Sequence, residues 1–162
     1  MKHTYLLLAI AAILLTGCEK NISSITTEEH HPIAVDNTPD VYLTGYTLYA
    51  IPYSNKYYLM SIEAIDKNGD ECYIIPSVYT PALTSASLPY VCNFQNRQLL
   101  EDISNMKEFV IKVYWDSTTD YNQTQCLSKS ISASEILRSK KAEYTFTSDN
   151  GSTKIGIHLV YE

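Results

Sequence analysis

The chain has 162 residues, 18 of them acidic and 12 basic, and a formal net charge of −6. No Lys/Arg cluster breaks this acidic balance, so the sequence carries neither the electrostatic footprint of a nucleic-acid binder nor the polybasic patch that holds a protein to anionic lipid. Fourteen tyrosines and 45% hydrophobic residues are enough for one packed domain, and the length suits one domain rather than two.

The first segment is Met1-Lys2-His3 followed by an apolar run from Tyr5 to Leu15. A permanent transmembrane helix needs about 20 residues, whereas this run has the length of the apolar core of a secretory signal. It ends in Leu15-Thr16-Gly17-Cys18, which resembles the lipobox of bacterial lipoproteins. That resemblance implies cleavage after Gly17 and lipidation of Cys18, with residues 1–17 as signal peptide. It also implies a protein lipid-anchored in the bacterial cell envelope. Glu19 rather than Asp follows the cysteine, which points to the outer membrane as the destination. Without Lys2 the remaining chain holds 11 basic and 18 acidic residues, a net charge of about −7, so attachment would rest on the acyl chains alone.

With Cys18 assigned to lipid, Cys72, Cys92 and Cys126 remain, an odd number that allows at most one intramolecular bridge. None has Cys-x-x-Cys spacing, which argues against a zinc or redox site. Residues 18–40 are polar, with Ser23-Ser24, Glu28-Glu29, His30-His31-Pro32 and Thr38-Pro39, and read as a flexible tether.

From Val41 to the end the texture is Tyr, Ile, Val and Thr in short runs, which is strand chemistry. Val41–Ile51 reads as a strand with Val41, Leu43, Tyr49 and Ile51 on one face and Tyr42, Tyr46 and Leu48 on the other. Tyr57–Asp66 is a second strand with Tyr58, Met60, Ile62 and Ala64 on one side, and Asn68-Gly69 turns the chain into Glu71–Ile75. Leu99, Leu100, Ile103 and Met106 have helical spacing, and Phe109–Trp115 alternates as a strand. Ser132 to Glu135 has capping-box spacing ahead of a short helix. Asn150-Gly151 joins strands at Glu143–Ser148 and Thr153–Tyr161, the second carrying a solvent-facing His158.

Short strands separated by turn signals predict an all-β antiparallel sandwich over residues 41–162. The order of segments resembles a C2 domain: Val41–Pro52 as its first strand, Lys56-Tyr57-Tyr58 opening the second, Pro89–Phe94 as a short strand, Phe109–Asp116 as the apolar strand, and Lys154–Tyr161 as the closing one. Transthyretin-like and immunoglobulin-like sandwiches are the alternatives. The C2 resemblance implies calcium-dependent lipid binding, but the family's carboxylate-rich loops are not retained. Tyr53-Ser54-Asn55 has no acid, and the later loop keeps only Asp116 and Asp120 as weak metal candidates. Calcium takes six to eight oxygens, so no metal or other cofactor is expected. Asp66–Asp70 looks superficially like a calcium loop and reads better as a hairpin.

No Gly-x-Ser-x-Gly, phosphate loop or His-Glu-x-x-His motif is present, and the expectation is a protein that is not an enzyme. Two functions follow. The first is a protein-interaction or assembly module with a partner in the envelope. The second is a surface lipoprotein that binds carbohydrate or peptide through Tyr53, Tyr57 and Tyr58, since tyrosine combines an apolar face with a polar tip. Asp116-Ser117-Thr118 also resembles an O-glycosylation tripeptide of some gut bacteria.

Overall fold

A computed structural model describes residues 37–76, 79–116 and 123–162. The signal segment, Gly17, Cys18, the His30-His31 pair, Ser117-Thr118 and Asp120 lie outside the described residues. The compact unit that contains the domain runs Asp36–Glu162.

Among the described residues eight strands form it: β1 (Val41–Ala50), β2 (Tyr57–Asp66), β3 (Glu71–Pro76), β4 (Tyr90–Leu99), β5 (Met106–Asp116), β6 (Gln123–Ser132), β7 (Glu143–Thr147) and β8 (Lys154–Tyr161), with one α-helix, α1 (Ala133–Ser139), between β6 and β7. They pair into two antiparallel four-stranded sheets, ordered β4-β1-β8-β7 and β3-β2-β5-β6. This is the all-β sandwich that the alternating segments predict. The first strand lies beside the last and fourth, not beside the second, so the arrangement is not the immunoglobulin one.

The inner faces supply the core. β2 contributes Tyr58, Met60, Ile62 and Ala64, and β5 contributes Phe109, Ile111 and Val113; from the other sheet come Ile155, Ile157 and Leu159 of β8. Register fixes the neighbours, with Met60 opposite Val113, Ile62 opposite Ile111 and Val113 opposite Leu127. Because the side-chain period of a strand is two, these pairs put every apolar branch on one side of the sheet.

β1 departs from its simple alternation. The register shifts between Leu43 and Gly45 against both neighbours, and a bulge of this kind changes which side later residues face. Val41, Leu43, Tyr46 and Leu48 are therefore all buried, while Tyr49 is exposed. The expected pairing of Tyr49 with Val41, and of Tyr46 and Leu48 with Tyr42, is corrected by that one irregularity. Gly45 is needed there. A Cβ would overlap the Cys92 carbonyl oxygen and lie 3.1 Å from the Asn93 Cα.

The helical spacing of Leu99 to Met106 does not produce a helix. Leu99 ends β4, Met106 begins β5, and Asp102 between them has φ 50°. That left-handed residue stops helix growth, and the segment closes instead with four-residue turns from Asn105 N–H to the Asp102 carbonyl and Met106 N–H to the Ile103 carbonyl. Leu100, Ile103 and Met106 still reach the core. The short helix does form at α1, where the Ser132 hydroxyl accepts the Glu135 N–H at 3.2 Å. The Glu135 carboxylate pairs with Arg138 rather than completing a capping box.

Both Asn-Gly hairpins are present. Gly69 has φ 96° and Gly151 φ 72°, the left-handed region that glycine enters without steric cost. At the first, Asp66 Oδ1 accepts the N–H groups of Asn68 and Asp70 at 2.8 and 2.9 Å. These bonds, that of Asp70 foremost, hold the Asp66 carboxyl below its ordinary pKa. The segment is a turn held by its own aspartate.

Candidate functional site

The first candidate site is the end of the sandwich where β1 passes into β2. β1 stops at Ala50, and the chain reaches Tyr57 through a connection in which Asn55 has φ 57°. This connection is pinned to the segment after β3. Asn55 N–H donates to the Leu83 carbonyl at 2.6 Å, Leu83 N–H returns to the Lys56 carbonyl at 2.9 Å, and Leu83 itself is buried.

Tyr58 is the fixed point beneath it. Its ring is fully buried; its hydroxyl donates to the Tyr53 carbonyl at 2.6 Å and accepts the Tyr53 N–H at 3.2 Å. Burial pushes this phenol up to about 12, so it stays a neutral donor throughout the physiological range. Thr80 clamps the same residue from the side: its hydroxyl accepts the Tyr58 N–H at 3.0 Å, and its own N–H donates to the Tyr58 carbonyl at 2.9 Å. Tyr58 therefore leaves the set of candidate ligand-binding tyrosines. It positions Tyr53 and offers no face to solvent.

Tyr53 and Tyr57 stay in the set, with side chains 54% and 37% exposed. The ring of Tyr53 lies 5.0 Å from that of Trp115 at 60°, and Lys56 Nζ sits 5.4 Å from the Trp115 ring centroid, within reach of a cation–π attraction. Trp115 stands opposite Tyr58 on β5, at the open end of the core face, and is only partly buried. On the outer face of the same sheet Tyr57 is opposite Asp116, which is opposite Gln123. Gln123 Nε2 donates to the hydroxyl of Tyr79, an exposed residue next to Thr80, so this bond spans the row from the β2 side to β6. Asp116 belongs to the row and its Oδ1 is buried, without a hydrogen-bond partner among the described residues.

This end offers three exposed phenols, an indole edge and the Lys56 cation, which is binding chemistry. Among the described residues no three His, Cys, Asp or Glu side chains converge as a metal site would require. Reasoning from sequence found Tyr53 and Tyr57 and missed Trp115, Lys56 and Tyr79. Trp115 reads as another core position by alternation, and its one distinguishing signal is its place at the strand's last turn, next to Asp116.

A second polar group occupies the outer face of the other sheet. His158 Nε2 lies 2.9 Å from the Thr47 hydroxyl, so the histidine, expected to face solvent, is half-buried and held by its neighbour. Tyr49 donates to Glu143 Oε1 at 2.6 Å, and this phenol is raised by the carboxylate it binds. Lys154 Nζ lies 5.4 Å from the same ring. The Glu143 carboxylate rests over Gly156, where a side chain would collide with it. These groups satisfy one another and leave no converging cavity. The three described cysteines are all free thiols; Cys126, whose thiol lies 3.3 Å from the Val113 carbonyl, is raised by burial.

No protein-family model matches the chain, and no curated protein matches it. The fold and the chemistry of the surface are what bear on its role.

Proposed function

We propose that this is a non-catalytic lipoprotein of the bacterial envelope, anchored in the outer membrane through Cys18, whose sandwich docks a protein partner through the aromatic end around Tyr53. The observation that carries this reading is where that end lies. The chain enters the domain beside Glu162, with Asp40 and Glu162 exchanging backbone hydrogen bonds at 3.0 and 2.9 Å. β1 then runs ten residues, about 33 Å at strand rise, before it reaches the connection that presents Tyr53. The exposed aromatics therefore lie at the opposite end of β1 from Asp40, where the chain enters the domain.

The composition of that pole suits a protein interface, where tyrosine, tryptophan and desolvated cation–aromatic contacts carry much of the binding energy. The carbohydrate reading is weaker at this location. Tyr53 and Trp115 pack against one another at 60° and share no plane on which a sugar ring would lie.

The test is purification of the full chain from solubilised membranes, wild type beside Tyr53→Ala and Lys56→Ala, with co-purifying proteins identified by mass spectrometry. A stoichiometric partner should be present with the wild type and lost from both variants, while their unfolding temperatures stay within about 2 °C. A complex indifferent to both substitutions places the docking face elsewhere.

A further inference from the structure

Strand β4 carries a feature that the docking pole does not use. Tyr90–Asn93 pairs with Leu48–Gly45, and Gln98–Leu99 pairs with Leu43–Tyr42, so Thr44 alone faces the four residues Phe94–Arg97. Those residues bow out of the ladder as a wide bulge at the edge of the sheet. Gly45, lacking a Cβ, lets the backbone at Cys92 and Asn93 press close to β1 where the bulge begins.

At the bulge lies a cleft of about 560 Å³, lined on one side by Pro76 at the end of β3, a volume in the range of small-molecule sites. The ring of Phe94 packs edge-on against Tyr46 at 6.2 Å and gives the cleft an aromatic wall. The polar lining comes from Asn93, Gln95, Asn96 and Gln98, and no charged side chain lines the cleft among the described residues. Arg97, the one cation in the segment, is committed elsewhere, 3.9 Å above the Tyr42 ring and paired with Glu162. Asn93, Gln95, Asn96 and Gln98 are all exposed, and Gln98 Nε2 donates to the Asn96 carbonyl at 3.0 Å.

We propose that this cleft binds a short neutral oligosaccharide. A carboxamide presents both donors and an acceptor, which matches a sugar hydroxyl that donates and accepts at once. Several exposed carboxamides beside one aromatic wall fit the alternating hydroxyl and C–H faces of a pyranose. Among the described residues the lining offers an ionic ligand no opposite charge. An extended peptide would need a regular row of free backbone groups on the edge strand, and the bulge interrupts that row over Phe94–Arg97. The site stands apart from the aromatic pole, so it survives or fails independently of the docking proposal.

The experiment uses the full chain in a polyoxyethylene detergent, which carries no sugar headgroup. It is screened on an array of neutral glycans and then titrated by saturation-transfer NMR with the best binder, trisaccharides of glucose, mannose and N-acetylglucosamine included. Saturable binding in the millimolar range or tighter is expected. It should weaken at least tenfold in the Asn93→Ala, Gln95→Ala double variant and in the near-isosteric Gln95→Glu, and stay unchanged in Tyr53→Ala, with the same unfolding temperature confirming each fold. Absence of saturable binding across the array overturns the proposal. So does binding that both cleft variants retain, or a penta-alanine peptide that binds with the same dependence on Asn93 and Gln95.

Discussion

Replacing Gly45 with alanine tests the packing argument most directly, because the ordinary expectation has the opposite sign. Gly→Ala at a position without positive φ reduces the entropy of the unfolded chain and stabilises by about 0.4–1 kcal/mol. At Gly45 the new methyl would overlap the Cys92 carbonyl oxygen and stand 3.1 and 3.2 Å from the Asn93 Cα and the Cys92 carbonyl carbon. Restoring van der Waals separation requires β4 to retreat by about an ångström. The contacts it meets are backbone, so no side chain can rotate away. Overpacking of this kind costs about 1–3 kcal/mol, and loosening one or two ladder hydrogen bonds adds about 1 kcal/mol each. Set against the entropic gain, the net loss is about 1–4 kcal/mol, or roughly 4–15 °C in unfolding temperature for a domain of this size. Urea unfolding followed by tyrosine and tryptophan fluorescence would measure it, with reduced or lost protection of β4 amides in hydrogen exchange as the structural signature. A variant as stable as the wild type, or more so, would refute the close approach of the two strands and with it the origin of the bulge.

Val113→Asp should unfold the domain at 37 °C, because it places a carboxylate without a partner between Met60 and Leu127 at a fully buried position; an unchanged cooperative transition would misplace the core. Asp66 is held below its ordinary pKa by the hairpin N–H groups, so its stabilising contribution is complete above the unfolded value, about 3.9, and is lost as pH falls through the lower folded value. Asp66→Asn should therefore be less stable than wild type at pH 6, and the gap should narrow as pH falls below about 3.9; a gap constant with pH would contradict the linkage. Cys18→Ala should leave the protein uncleaved or released from membranes, and mass spectrometry that finds unmodified Cys18 in the mature wild type would end the anchoring proposal. Calcium at about 1 mM should raise the unfolding temperature by less than roughly 1 °C, since Asp116 and Asp120 supply too few oxygens; a rise of several degrees that vanishes in Asp116→Ala would restore a metal site.

The sequence by itself determined the elements whose cause is local. The alternation of β2 and β5 shows which side chains meet, because period two admits one buried face. The Asn-Gly turns were legible because positive φ at Gly69 and Gly151 is a property of the residue. Ser132 as a helix cap was legible for the same reason. What the sequence left dark depends on neighbours far along the chain. β6 reads as a polar stretch, Gln-Thr-Gln-Cys-Leu-Ser-Lys-Ser, and becomes a strand through its ladder with β5, with Leu127 as its buried anchor. The bulge that turns Tyr46 and Leu48 inward arises where Gly45 meets Cys92, a contact between residues 47 positions apart, and no pattern within β1 announces it. Burial divides the three candidate tyrosines for a like reason. Alternation sets the adjacent Tyr57 and Tyr58 on opposite faces of β2, but only the tertiary structure brings Thr80 and the Tyr53 backbone onto Tyr58 and makes it a structural post.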